Sequence, residues 1–210
     1  MRAGSPSRAL AAAFSSALVL TVLLVSVPSS QAGFIATTTN DTNTFGAEGW
    51  KAIVALDGGQ AHACLARAEG SVWCWGLNDR GQLGDTTTTN RTSPVQVTGP
   101  GGTGTLTGAV DVAAGPVHSC ALRSDTTVWC WGLNDKGQLG DTTTTNRTSP
   151  VQVTEPGGTG TLTGVDSITA GAKFTCATKT DGTVWCWGEN GNGQLGDGTT
   201  TDSSSPTRVF

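Results

Sequence analysis

The chain reads HSCALRSDTTVWCWG over residues 118–132, and this stretch decides the fold because it is the centre of a threefold internal repeat. Fifty-six residues earlier stands HACLARAEGSVWCWG (62–76), and 56 residues later stands FTCATKTDGTVWCWG (174–188). A fixed period of this size is typical of stacked supersecondary units, each with an apolar face that only a neighbouring copy covers. The sequence therefore predicts a repeat architecture.

Each period contains the signals for four short strands separated by turns. No window after residue 33 has the apolar spacing of a helix, so we predict an all-β chain. Segments rich in Gly, Asp or Thr set the strand boundaries. In the second copy the predicted strands are 109–113, 118–122, 127–131 and 150–153. The predicted organisation is an N-terminal segment over 33–51 and repeats over 52–107, 108–163 and 164–210, of which the last lacks the linker that ends the first two.

The six cysteines form three pairs at one fixed spacing. If the two cysteines of a pair face each other across a hairpin, they occupy a non-hydrogen-bonded position with Cα atoms about 4.5 Å apart, which a disulfide tolerates. A zinc site and free thiols are the alternatives, but the His-x-Cys-x9-Cys set lacks a Cys-x-x-Cys chelate, and Phe174 replaces histidine in the third copy. We therefore predict three disulfides, Cys64–Cys74, Cys120–Cys130 and Cys176–Cys186.

The turn of each predicted hairpin has three residues and needs a left-handed residue at its last position. Gly70 supplies this residue in the first copy and Gly182 in the third. The second copy carries Thr126 there. Because a left-handed threonine is costly, we expect a distorted or longer loop in that copy.

The tryptophans flank the second cysteine of each pair, so both point to the sheet face opposite the cysteine. Mostly small side chains face them in the hairpin register, which leaves room for the indoles. Neither face of the Val-Trp-Cys-Trp-Gly strand is polar, so both faces need covering, as in sheets stacked on two sides. An aromatic ligand platform is the alternative. The predicted structural core is Trp73, Trp75, Trp129, Trp131, Trp185 and Trp187.

The segment from Val110 to Asp141 resembles the repeat of the regulator of chromosome condensation family, of a secreted bacterial type with three repeats. It carries the His-Ser-Cys-Ala-Leu run, then Val-Trp-Cys-Trp-Gly-Leu-Asn and Gly-Gln-Leu-Gly-Asp. The resemblance covers residues 52–210 and implies a β-propeller in which each repeat forms about one four-stranded antiparallel blade. The family includes a nucleotide-exchange factor for a small nuclear GTPase and a secreted propeller that inhibits β-lactamases. Three repeats cannot close a ring of four to eight blades, so we expect an incomplete, partial propeller.

Residues 1–32 are predicted to be a secretory signal peptide. Arg2 and Arg8 form a basic start, residues 10–27 are apolar, and Ser30-Gln-Ala32 is a small-residue cleavage signal. An uncleaved membrane anchor is the alternative, because the apolar stretch is nearly long enough to span a bilayer. Either arrangement places the repeats in an oxidising exterior, and we predict a secreted, extracellular protein.

Charge limits the class of partner. The net charge is −4, and removing the two leader arginines makes it −6. A nucleic-acid partner requires a concentrated basic face, so we predict no nucleic-acid binding. The expected partner is an unknown extracellular protein or surface, with no membrane contact beyond the leader. A homo-oligomer and a fragment of a longer propeller are the two expected ways to complete the ring.

No residue pattern indicates catalysis. The histidines are His62 and His118, and a catalytic base is not expected to recur in a repeat and then become Phe174, so we assign both to packing or a hydrogen bond. Asp85, Asp141 and Asp197 follow Gly-Gln-Leu-Gly in every copy, which suits aspartates that hydrogen-bond a turn backbone. We predict no enzymatic activity, no cofactor and no metal.

The segments directly after the Trp-Gly strand ends vary among the copies while their surroundings do not, so they are the candidate binding loops. We predict a non-catalytic module for protein interaction or cell-surface recognition. The alternatives are a guanine-nucleotide exchange regulator, by family analogy, and a carbohydrate-binding or carbohydrate-active propeller. The candidate binding residues are Leu77, Asn78, Asp79, Arg80, Leu133, Asn134, Asp135, Lys136, Glu189, Asn190, Gly191 and Asn192.

Overall fold

Residues 52–210, which are the part of the chain that the computed structural model describes, form three four-stranded antiparallel sheets. A short 3-10 turn at Pro100–Gly102 lies between the first and second sheets, and no α-helix occurs in this range. The predicted all-β class is confirmed, while the predicted leader and the segment 33–51 lie outside the described residues. The strands are β1 Ile53–Gly58, β2 His62–Arg67, β3 Val72–Gly76, β4 Arg91–Gln96, β5 Ala109–Ala114, β6 His118–Arg123, β7 Val128–Gly132, β8 Arg147–Gln152, β9 Val165–Ala170, β10 Phe174–Lys179, β11 Val184–Gly188 and β12 Ser203–Arg208.

Each sheet is a meander whose strands pair in chain order, and we call the sheets blade one (β1–β4), blade two (β5–β8) and blade three (β9–β12). The last strand of blade two begins at Arg147, three residues before the predicted start at Pro150. A register shift after Cys130 brings Gly132 opposite Arg147 and so extends the pairing. Pro150 is tolerated because β8 is an edge strand.

The cysteines face each other in all three hairpins. Cys64 pairs with Cys74 in the register of β2 and β3, and the other two pairs occupy the same place in their blades. The bridged Cα atoms lie 4.0 to 4.1 Å apart, and no cysteine is free in the described chain. The predicted disulfides are confirmed.

The second hairpin does not have the distorted or longer loop that its threonine predicted. Thr126 adopts φ +65°, close to the value expected of glycine, and its amide donates to the Arg123 carbonyl as Gly70 does to that of Arg67. Its hydroxyl accepts a hydrogen bond of 2.9 Å from the amide of Gly164 in the next repeat. This tertiary contact offsets the cost of a left-handed threonine, which is on the order of 1 to 2 kcal/mol.

The blades stack through two unlike faces. On every blade one face carries both cysteines, which we call the cysteine face, and the opposite face carries the two tryptophans, which we call the tryptophan face. The cysteine face of blade one, with Cys64 and Val72, packs on the tryptophan face of blade two, with Val112 and Trp131. The seam between blades two and three repeats this arrangement. Consecutive propeller blades are arranged in this way.

The structure distinguishes the two tryptophans of each pair. Trp131 and Trp187, the second of their pairs, are completely buried in the seams. The first members are half-buried, and each indole donates to a hydroxyl two residues earlier, as Trp129 does to Thr127 at 3.2 Å. In blade one the guanidinium of Arg67 also covers the ring of Trp73, at 4.7 Å from its centroid. Trp131 and Trp187 therefore lie at the core of the two seams, whereas Trp75, the second tryptophan of blade one, is half-buried.

Two further observations concern the described range alone. Residues 52–210 contain no helix with the length and apolarity needed to cross a membrane. Nor do they contain a group of three or more His, Cys, Asp or Glu side chains arranged to hold a metal ion.

Candidate protein-interaction face

A buried asparagine builds each candidate loop. The side chain of Asn78 is fully buried, its Oδ1 accepts from the amide of Leu83 at 2.9 Å, and its Nδ2 donates to Asp85 Oδ1 at 3.0 Å. The same Nδ2 also lies 3.1 Å from the carbonyl oxygens of Thr87 and Thr89. Asn134 and Asn190 occupy the same place in blades two and three. These three candidate binding residues are therefore internal to the protein.

The asparagine stands at the same position in all three copies, directly after Trp-Gly-Leu or Trp-Gly-Glu. That invariance was the sequence signal for a structural role, because a loop that only presents a surface tolerates change at each position. The buried glutamines Gln82 and Gln138 carry the same signal. Both were absent from the predicted site.

A charged pair closes the Thr-rich segment that follows each of the first two loops. Arg91 contacts Asp85 at 2.7 Å, and Arg147 contacts Asp141 at the same distance. Burial alone raises the pKa of Asp85, but hydrogen bonds from Thr87, Arg91 and Asn78 outweigh it and hold that pKa below its ordinary value. The aspartates therefore act as hydrogen-bonding turn residues in the folded protein.

The exposed part of each loop is a two-residue tip, to which a glutamine side chain hydrogen-bonds. In blade one the Gln82 side chain accepts from the amide of Arg80 at 2.8 Å and donates to Asp79 Oδ1 at 3.2 Å. In blade two Gln138 holds Lys136 and Asp135 in the same way. We call these residues the loop tips, and the full set is Asp79, Arg80, Asp135, Lys136, Gly191 and Asn192.

The charges of the loop tips are largely paired. Lys136 contacts Asp202 at 2.9 Å, and Lys173 contacts Asp135 at 2.7 Å, so both pairs cross the seam between blades two and three. Such exposed pairs contribute little to stability, on the order of 0 to 1 kcal/mol. Their effect here is to leave the rim of the loop tips without a concentrated basic field.

The two histidines belong to the seams. The Ser119 hydroxyl of blade two donates to the carbonyl of Gln82 at 2.9 Å, so its oxygen accepts from His62 Nε2 of blade one at 2.8 Å. His118, Thr175 and Gln138 repeat the chain at the next seam, with both distances at 2.9 Å. The proton of each neutral imidazole is therefore on Nε2.

Both imidazoles are neutral at physiological pH. Burial, partly opposed by the charge of Asp57, lowers the pKa of His62 to about 4, and burial lowers the pKa of His118 to about 3. The Nδ1 atoms of both rings are buried without a hydrogen-bond partner. A second proton would have to occupy that site, which explains why the charged form is disfavoured.

Replacing the buried asparagine is expected to destabilise the fold strongly. In Asn134→Ala the amide of Leu139 and the carbonyl of Thr143 lose their partners, so the free energy of unfolding should fall by roughly 2 to 4 kcal/mol. The matched control is Asn192→Ala at an exposed tip, which should change it by less than about 0.5 kcal/mol. Urea denaturation measures both values, and equal effects would refute the structural role of Asn134.

Comparison with known proteins identifies the repeat. The sequence family model of the regulator of chromosome condensation (RCC1) repeat matches residues 69–122, 125–178 and 181–210. A second model of the same repeat matches residues 53–82, 109–138 and 165–194. The two sets of matches differ in where the repeat is taken to begin, and both find three copies.

Among curated proteins, the human probable E3 ubiquitin-protein ligase HERC6 is 34% identical over 161 residues, which is 75% of this chain and 15% of that protein. The ultraviolet-B receptor UVR8 of Arabidopsis thaliana is 31% identical over 159 residues, 75% of this chain and 34% of the receptor. The chain thus spans about a third or less of these relatives. The crystal structure of Prp20p from Saccharomyces cerevisiae aligns with a TM-score of 0.61 at 22% identity, covering 74% of this chain and 37% of that one. This likeness confirms the partial-propeller fold.

Proposed function

Because this chain belongs to the regulator of chromosome condensation repeat family, we propose that it is a secreted, non-catalytic protein-interaction module that binds through its loop tips. The observation that carries the proposal is the construction of each loop, in which a buried asparagine and a glutamine fix two exposed residues of varying identity. Binding residues are commonly presented on loops that a rigid scaffold positions. The tips read Asp-Arg, Asp-Lys and Gly-Asn, so three neighbouring blades present three different pairs.

The state of the histidines supports a role without catalysis. A general base must reach the proton that it abstracts and needs a pKa near the working pH. His62 and His118 are buried in the seams, and burial lowers the pKa of His62 to about 4 and that of His118 to about 3. Their hydrogen bonds join one blade to the next.

Two observations support an extracellular location. Disulfides persist in oxidising compartments, and all six cysteines are bridged. The basic, apolar and small-residue order of residues 1–32 matches a secretory leader. Amino-terminal sequencing of the protein collected from the medium of its native host tests this, and we expect a new terminus at Gly33. Retention of Met1 on protein found only inside the cell would contradict secretion.

Substitution of the loop tips tests the binding role. The variant Asp79→Ala/Arg80→Ala/Asp135→Ala/Lys136→Ala should lose at least about tenfold in the amount of partner recovered from the native extracellular fraction, because truncating central contact residues commonly costs 1 kcal/mol or more. The matched control carries Thr88→Ala and Thr144→Ala in the exposed Thr-rich segments. Both variants should melt near the wild-type temperature. Undiminished recovery by the tip variant would contradict the assignment.

A further inference from the structure

The two end blades expose the faces that the seams bury. On blade one the tryptophan face has no neighbour within residues 52–210. Leu56 on this face is 64% exposed, whereas the matching Val112 of blade two is 5% exposed. Trp75 is half-buried, whereas the matching Trp131 is completely buried. An intact half of a seam is therefore present on blade one.

Blade three carries the opposite half. On its cysteine face Cys176 and Val184 are half-buried, whereas the matching Cys120 and Val128 of blade two are completely buried. The ring of Phe174 packs over Gly171 just as His118 packs over Gly115. The two end faces are thus the two complementary surfaces from which both internal seams are built.

The hydrogen-bonding groups of a seam are also present at the ends. Within the chain, Trp131 Nε1 donates to the Gln82 carbonyl at 2.8 Å, and Trp187 repeats this contact with Gln138. The corresponding groups at the ends are the indole N–H of Trp75 and the carbonyl of Gln194, and no residue of 52–210 hydrogen-bonds to either.

In each internal seam a glycine of one blade lies against the buried indole of the next blade. Gly84 and Gly140 are buried, and a Cβ at either would lie within about 3 Å of the indole of the next blade. Gly196 is the same residue in blade three, with φ +63°, but it is exposed. The receiving site for a tryptophan is therefore intact on blade three.

One contact at the two ends differs from its counterpart in the internal seams. Each internal seam pairs a histidine with a hydroxyl, His62 with Ser119 and His118 with Thr175. At the ends, Phe174 stands at the histidine position of blade three and Ala63 stands at the hydroxyl position of blade one. Facing each other, these two side chains form an apolar pair that leaves no buried polar group unsatisfied.

From these observations we propose that two copies of this chain associate head to tail, with the cysteine face of blade three in each copy against the tryptophan face of blade one in the other. Head-to-tail contacts give a closed ring when the rotation closes. Two copies supply six blades, within the four to eight that close a propeller, whereas three copies exceed that number.

Charge does not oppose this joint. The positions that form ion pairs between blades two and three, those of Lys136 with Asp202 and Lys173 with Asp135, are uncharged at the new joint. The residues that take these positions are Asn192 with Asn90 and Ala61 with Gly191. At these positions the joint places no like charges against each other, so it would associate through apolar burial and main-chain contacts.

Sedimentation of the protein as its native host produces it tests the proposal. We expect a mass twice that of one chain, which is 21.3 kDa before any processing. Phe174→His places an unsatisfied imidazole N–H against Ala63 and should raise the dissociation constant about tenfold per joint, on the order of a hundredfold for a ring with two joints. The double variant Phe174→His/Ala63→Ser restores the pair of the internal seams and should return to within about threefold of wild type.

Two controls separate this joint from other modes of association. Ala63→Ser alone should bind nearly as wild type, because its hydroxyl can donate to Gln194 as Ser119 does to Gln82. Ala63→Arg should give monomers, whereas Glu155→Arg, on the connector between blades two and three, should not. A wild-type chain that remains monomeric at all concentrations overturns the proposal. Formation of filaments would also overturn it, as would a loss of association in Phe174→His that the added Ala63→Ser substitution does not restore.

Discussion

Lowering the pH from 7 to 4.5 is expected to reduce the free energy of unfolding by roughly 5 kcal/mol, mainly through two buried histidines. Both have an ordinary pKa of 6.5, which burial lowers to about 4 for His62 and about 3 for His118. Below pH 6.5 the two histidines bind protons in the unfolded chain but remain unprotonated in the folded chain. Each histidine then costs about 1.4 kcal/mol of stability per pH unit until its folded pKa is reached.

The variant His118→Phe isolates this effect. Phenylalanine is already present at the same position in blade three, and Thr175 keeps its hydrogen bond to the Gln138 carbonyl. The pH dependence of unfolding between pH 6 and 4.5 should fall from roughly 2.7 to roughly 1.4 kcal/mol per pH unit. Because the other titratable groups are the same, the difference between the two proteins reports His118 together with its electrostatic coupling to His62. Equal slopes in urea denaturation would show that His118 is not a buried neutral group.

The aspartates whose pKa the fold lowers act at a lower pH. Hydrogen bonds from Thr143 and Arg147 hold the pKa of Asp141 below its ordinary value of 3.8, although burial alone raises it. The stability that this group contributes is complete above pH 3.8 and is lost only as the pH falls through its lowered folded pKa. The effects of the two histidines and of Asp141 therefore occupy different parts of the acid range.

Removing the disulfide of blade two is expected to cost about 3 kcal/mol. Cys120 and Cys130 are ten residues apart. Without the bridge the unfolded chain gains conformational entropy, which for a loop of this size stabilises the unfolded state by about 3 kcal/mol. Loss of all three bridges should cost on the order of 8 kcal/mol if the effects add. That is comparable with the 5 to 15 kcal/mol that stabilises a typical domain. The fully reduced chain is therefore expected to be largely unfolded.

Urea denaturation of wild type, of Cys120→Ala/Cys130→Ala and of the reduced wild type measures these costs. The variant measures the cost of losing one bridge, and the reduced protein, which keeps every sulfur atom, shows whether losing all three cross-links unfolds the chain. Alkylation of the unreduced protein should label no cysteine. Labelling of all six thiols, or a denaturation midpoint that reductant does not move, would contradict the disulfide contribution.

The sequence by itself determined the features that depend on short separations along the chain. The hairpin centred between Cys64 and Cys74, its register and its disulfide follow from the alternation of strand side chains and the length of one turn. The 56-residue period determined the stacking of like units, because sheets that are apolar on both faces need neighbours. The hairpin features require no knowledge of a distant residue, and the period requires only a comparison of the sequence with itself.

Only the tertiary structure decided what depends on the next blade. Which tryptophan of a pair is completely buried, the hydrogen bond between His62 and Ser119, and the tolerance of a left-handed Thr126 all rest on partners 37 to 57 residues away. The buried role of Asn134 likewise depends on backbone groups of a segment that folds back over it. The positions of these partners are set by how one blade rotates onto the next, and no local pattern of residues encodes that rotation.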